Sequence, residues 1–117
     1  MTTIRETDVV SAIKQYLELR RFRVYRRNVG GAYNASLQFV RFSEPGAADL
    51  TGREIGTGRA IEVEVKRPGS RTKPQRQALQ QAWLDQARRD GCIAFRASSV
   101  EEAEVALVEY GYPPLLV

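Results

Sequence analysis

One aspartate, two glutamates and a lysine stand where they could act together. In the stretch from Pro45 to Gly69, PGAADLTGREIGTGRAIEVEVKRPG, two short strands are joined by a glycine-rich turn, with Asp49 on the first and Glu64-Val-Lys66 on the second. Side chains alternate along a strand, so Glu62, Glu64 and Lys66 share one face while Ile61, Val63 and Val65 fill the other. A hairpin closing over Thr51 to Arg59 brings Asp49 beside Glu64. Two carboxylates then lie within reach of one hard cation, which takes oxygen ligands and keeps several of its waters. Such a cation can polarise a phosphodiester and lower the pKa of a bound water. A lysine one side chain further on can orient that water or offset developing charge. An ion-paired surface strand gives the same pattern of Asp followed later by Glu-x-Lys.

The rest of the chain must position this hairpin. From Thr3 to about Arg20, Val9, Val10, Ile13, Tyr16 and Leu17 recur at helical spacing behind a Thr3-x-x-Glu6 capping box. Phe22 to Asn28 alternates as a strand ended by Gly30-Gly31, and Asn34 to Ser43 is a further strand or a partly apolar loop. After Pro68-Gly69, Thr72 and Gln75 form a second capping box with Pro74 in the first turn, and the helix runs through Leu79, Trp83 and Ala87 to Gly91. Cys92 to Ala97 reads as a short buried strand. Ser99 with Glu102 caps a last helix that Gly111 stops, and the apolar tail from Tyr112 packs back on the core or covers a partner subunit. The order is αβββαβα, an α/β domain with a mixed central sheet flanked by helices.

Composition narrows the chemistry. The 117 residues suit one domain, spanning 1–117, with 43% hydrophobic and 27% charged residues, an ordinary globular balance. No apolar run approaches a membrane span and the polar start MTTIRETD lacks a secretory segment, so the expected location is the cytoplasm of a bacterium or of a phage-infected host. A single cysteine, Cys92, leaves no intrachain disulfide and no cysteine zinc site. The chain has no histidine, which removes His-based nucleases and Ser-His-Asp hydrolases. Any hydrolysis must run on carboxylates, lysine and a metal. Residues 1–76 carry fifteen Lys and Arg against eight acids, while residues 77–117 carry three against six. The basic excess thus accompanies the carboxylate pair, as a polyanionic substrate would require.

Several pieces together resemble the PD-(D/E)xK nuclease superfamily, and within it the virus-type replication-repair nuclease family, VRR-NUC. They are Glu6, Arg26-Arg-Asn-Val-Gly30, Gly46-Ala-Ala-Asp49-Leu50, Glu64-Val-Lys66 with Arg67, and Thr72-Lys-Pro-Gln75. Ala48 stands where the superfamily's name has proline. The resemblance implies a restriction-endonuclease-like core and a Mg²⁺- or Mn²⁺-dependent endonuclease acting on DNA. Asp49, Glu64 and the backbone carbonyl of Val65 would hold the metal, with Glu6 binding it directly or through water. Lys66 would act on the attacking water, and Gln75 would meet substrate or orient Lys66. Glu6 and Gln75 keep their structural reading as helix-capping residues beside this one.

Phosphate contacts are expected from Arg26 and Arg27, part of a basic cluster with Tyr25 and Tyr33 interleaved, and from Arg67, Arg71, Lys73 and Arg76 at a helix N-terminus. A solvated charged edge is the other reading of the Arg26–Arg27 cluster. The family resemblance further implies a homodimer acting on branched DNA such as four-way (Holliday) junctions. Two alternatives stand beside it. One is a nucleic-acid-binding module without catalysis, the other a sequence-preferring repair or restriction nuclease of the same superfamily.

Overall fold

The structure, a computed structural model, describes residues 5–27, 31–33, 35–41 and 45–115. Expectations placed on Thr3, Asn28, Gly30, Asn34, Phe42 and Ser43 therefore lie outside the described residues. Helix α1 (Glu6–Leu19) opens the fold, followed by strand β1 (Phe22–Arg26), a ribbon of β2 (Gly31–Tyr33) and β3 (Phe39–Arg41), and the hairpin β4 (Leu50–Glu54) and β5 (Ala60–Val65). Helix α2 (Pro74–Arg89), strand β6 (Ile93–Ala97) and helix α3 (Val100–Glu109) complete it. Four strands form one sheet in the order β1-β4-β5-β6, and β2 and β3 pair separately. The first three strands of the sheet run antiparallel to their neighbours, while β5 and β6 are parallel, with Glu64 opposite Arg96. Leaving the small ribbon aside, the order is αβββαβα with a mixed sheet, as a restriction-endonuclease-like core requires.

The sheet is covered on both faces. Ile61, Val63 and Val65 are completely buried against Val10, Ile13 and Leu17 of α1 and Ala103 and Leu107 of α3. On the other face Leu84 and Ala87 of α2 close over Ala48 and Ala94. A parallel β5-β6 pair needs a crossover, and α2 provides it. Strand β5 is consequently buried along nearly its whole length, Glu62 and Glu64 included. Alternation assigned these two acids to one face; α2 determines that this face is not open to solvent.

Helix ends follow local chemistry. Both α2 and α3 close with Schellman geometry: Gly91 and Gly111 adopt φ of 94° and 99°, and the next residues, Cys92 and Tyr112, donate back to Ala87 and Leu107. Ser99 accepts from the Glu102 N–H at 3.1 Å, while Glu102 reaches back to the Ser98 N–H at 2.7 Å, one residue earlier than a strict capping box. The α2 box does not form. Pro74 holds Lys73 in extended geometry (ψ 141°), so Lys73 takes the cap position and no side chain bonds the free N–H groups. Likewise α1 starts at Glu6 behind Arg5, with no side-chain cap bond. Of the described tail residues, Tyr112 meets the Phe22 ring at 5.7 Å and the Leu115 N–H donates to buried Glu104, which Tyr16 also holds at 2.7 Å, while Pro113, Pro114 and the Leu115 side chain are exposed. Among the described residues no helix is long and apolar enough to cross a membrane.

Candidate active site

The β4-β5 ladder pairs Leu50 with Val63, which leaves Asp49 just beyond it, alongside the end of β5. Its backbone is tied down because its carbonyl accepts from the Arg27 N–H at 2.7 Å. Its side chain is fixed as well, with Oδ2 accepting from the Val65 N–H at 2.8 Å. The Val65 group that meets Asp49 is thus its amide N–H. Ahead of Asp49, Gly46 lies so close to α2 that an added Cβ would fall 2.7 Å from the Leu79 carbonyl carbon and oxygen, and its φ is 86°. Only glycine suits both demands.

Asp49, Glu64 and Lys66 line one cavity of about 470 Å³. Glu64 is 3% exposed, and its Oε2 has no hydrogen-bond partner. Burial first, and then the Asp49 charge, push its carboxyl up to about 7; Lys66 opposes them. The Lys66 ammonium lies 3.5 Å from Glu64 Oε1 and donates to Thr72 Oγ1 at 2.9 Å. A buried carboxylate oxygen without a partner, beside a second carboxylate, is a donor set that fits a hard divalent cation completing its shell with water. Glu6 lines the same cavity from the first turn of α1. It does not complete a cluster: among the described residues no three His, Cys, Asp or Glu side chains are grouped to hold a metal.

Arg67, Arg71, Lys73 and Arg76 line this cavity too, all from the loop and first turn that lead into α2. Their charges surround the acids at the end of the helix where its N–H groups are free. Gln75 is exposed on that turn and is absent from the cavity wall. Gln80, not among the expected site residues, is 3% exposed with an unpartnered amide oxygen. The two glutamines are five positions apart, so they point about 140° apart on a helix. Gln80 shares its phase with Leu84 and Ala87, and that spacing was the available signal.

Arg27 is not free to contact phosphate. Both of its terminal nitrogens donate to Glu62 at 3.1 Å, one also bonds the Ala48 carbonyl, and the guanidinium lies 5.1 Å from the Trp83 ring centre. Trp83 Nε1 donates to the same Glu62 oxygen at 2.7 Å. Burying Glu62 beneath α2 demands such partners, and Arg27 is the cation within reach. Arg26, its neighbour on β1, is exposed.

No protein-family profile matches the sequence, and no curated protein matches it. Among solved structures, one described as a VRR_NUC domain aligns with a TM-score of 0.58 at 22% identity, over 92% of this chain and 97% of that one. The chain therefore has the fold of a VRR_NUC domain.

Proposed function

We propose that this chain is a divalent-cation-dependent endonuclease that hydrolyses phosphodiester bonds in DNA and prefers branched substrates such as four-way junctions. The observation that carries the reading is half-buried Asp49 and buried Glu64 in one cavity with Lys66, the unpaired Glu64 oxygen among them. A pure DNA binder gains nothing from acids on its binding face. The fold shared with a VRR_NUC domain agrees with it.

Asp49, Glu64 and the Val65 carbonyl would hold Mg²⁺ or Mn²⁺, with Glu6 reaching it through water. The ion supplies a Lewis acid and an activated water at neutral pH. Asp49 is held in place by the Val65 N–H. Glu64 would serve as a ligand in its ionised form. Lys66 offsets the negative charge that builds on the phosphoryl oxygens during in-line attack. Arg67, Arg71, Lys73 and Arg76 bind phosphates flanking the scissile one, and Gln75 meets the substrate at the exposed end of the same turn. Paired nicks in opposed strands of a junction need two sites related by a two-fold axis, so the active species is a homodimer.

The test is incubation of the protein with labelled four-way junction, flap and linear duplex in Mg²⁺, Mn²⁺ or EDTA. Junction cleavage that EDTA abolishes is the expected result. Binding without cleavage in either metal would replace the nuclease with a non-catalytic DNA-binding module, and equal cutting of linear duplex would remove the branch preference.

A further inference from the structure

We infer that Thr72 is a positioning residue whose hydroxyl draws the Lys66 ammonium over the cavity and keeps its ion pair with Glu64 long, at 3.5 Å; this rests on the nuclease reading for its consequence, though not for its geometry. The chain reverses immediately after β5. The Ser70 N–H donates to the Arg67 carbonyl at 3.0 Å, and Pro68 followed by Gly69 at φ 79° is the residue pair of a type II turn. That reversal returns Thr72 to Lys66 six residues on, where the Lys66 ammonium donates to it at 2.9 Å. Thr72 is thereby used as an acceptor and contributes no cap to α2, whose N-terminus has no side-chain cap bond.

Two acceptors compete for this ammonium. Thr72 lies at hydrogen-bond distance, and Glu64 Oε1 lies further off at 3.5 Å. A lysine stem is flexible and its ammonium is a compact charge, so without Thr72 it closes on the nearest carboxylate. That carboxylate is Glu64, whose other oxygen is the unpaired one in the site. Thr72 therefore does two things at once: it keeps Glu64 available to a cation and keeps Lys66 available to the phosphoryl group. As a β-branched residue it has few χ1 states in which to lose that geometry.

The experiment compares the full chain with Thr72→Val, which keeps the shape and removes the acceptor, Thr72→Ser, which keeps the acceptor, and Lys66→Ala. Cleavage of a labelled four-way junction and a linear duplex is followed in Mg²⁺ and Mn²⁺, together with the NMR signal of the Lys66 side-chain ammonium, assigned by its loss in Lys66→Ala. Thr72→Val should lower kcat roughly 10-fold or more with KM unchanged, because the flanking cations are untouched. It should also broaden or shift the Lys66 signal, and Thr72→Ser should restore both. Parent-like cleavage by Thr72→Val where Lys66→Ala is inactive would overturn the inference. So would a Thr72→Ser protein as slow as Thr72→Val, since packing rather than the hydroxyl would then matter. If the parent protein cuts nothing, the nuclease reading falls by itself and the NMR arm decides: an unchanged Lys66 signal in Thr72→Val overturns the positioning role, and a lost one supports it.

Discussion

Arg27 and Glu62, 35 residues apart in the chain, meet through both guanidinium nitrogens at 3.1 Å, while Trp83 donates to the same carboxylate oxygen. The pair is mostly buried, with side chains 18% and 10% exposed. It ties β1 to β5 and to α2, the elements that carry and cover Glu64. Removing one partner of such a pair leaves a buried charge uncompensated, so Arg27→Ala should destabilise the protein by about 3–5 kcal/mol. Arg26→Ala, at an exposed position, should leave the urea midpoint unchanged while weakening DNA binding. Equal midpoints for the two variants would contradict the assignment.

Replacing Asp49 with Asn or Glu64 with Gln removes a metal-binding charge and nearly conserves shape. Cation affinity and cleavage should both fall while circular dichroism stays that of the parent. Lys66→Ala should bind the ion yet lose the chemical step. Branched DNA should still bind to all three, more tightly to the acid replacements. Cleavage at the parent rate by Asp49→Asn in Mg²⁺ would rule out the proposed site.

Arg67, Arg71, Lys73 and Arg76 are exposed and line the cavity. Each one that touches phosphate should take about 0.9 units from the slope of log affinity against log salt when changed to Ala. A slope that no variant alters would return the segment to a solvated face.

Glu64 provides a pH signature. Its carboxyl is raised from an ordinary 4.5 to about 7, chiefly by burial and then by Asp49. The folded state therefore holds that proton more tightly than the unfolded state. Its stabilising contribution is complete below about pH 4.5 and is lost as pH rises through about 7. In EDTA the Tm difference between the parent and Glu64→Gln should widen against the parent across that window. Asp49→Asn should move the window to lower pH, and Mg²⁺, binding the ionised form, should narrow the loss. A pH-independent difference would show that Glu64 ionises as it does in water.

Gly46→Ala should destabilise α2 against the start of β4, because the added methyl meets Leu79 backbone rather than a flexible side chain and the backbone conformation is left-handed. A loss of roughly 1–3 kcal/mol is expected by calorimetry, against little for Gly56→Ser in the open hairpin turn beyond its own φ strain.

The local chemistry of this chain was legible without coordinates. Period-2 alternation put Glu62 and Glu64 opposite Ile61, Val63 and Val65, a glycine-rich turn closed the hairpin that brings Asp49 to Glu64, and helical spacing picked out the buried side of α1 residue by residue. Gly91 and Gly111 marked two helix ends because a left-handed residue is needed there. These features depend on neighbours a few residues away, whose geometry the backbone fixes. What covers a face depends on which distant segment arrives. Only the crossover of α2 made the Glu62 face an interior, and that burial turned Arg27 from an expected phosphate contact into the partner of Glu62. The same docking hid Gln80 and left Gln75 in solvent, and the turn at Pro68-Gly69 drew Thr72 from a helix cap to Lys66. Desolvation acts on the assembled surface, and no spacing in the chain encodes it.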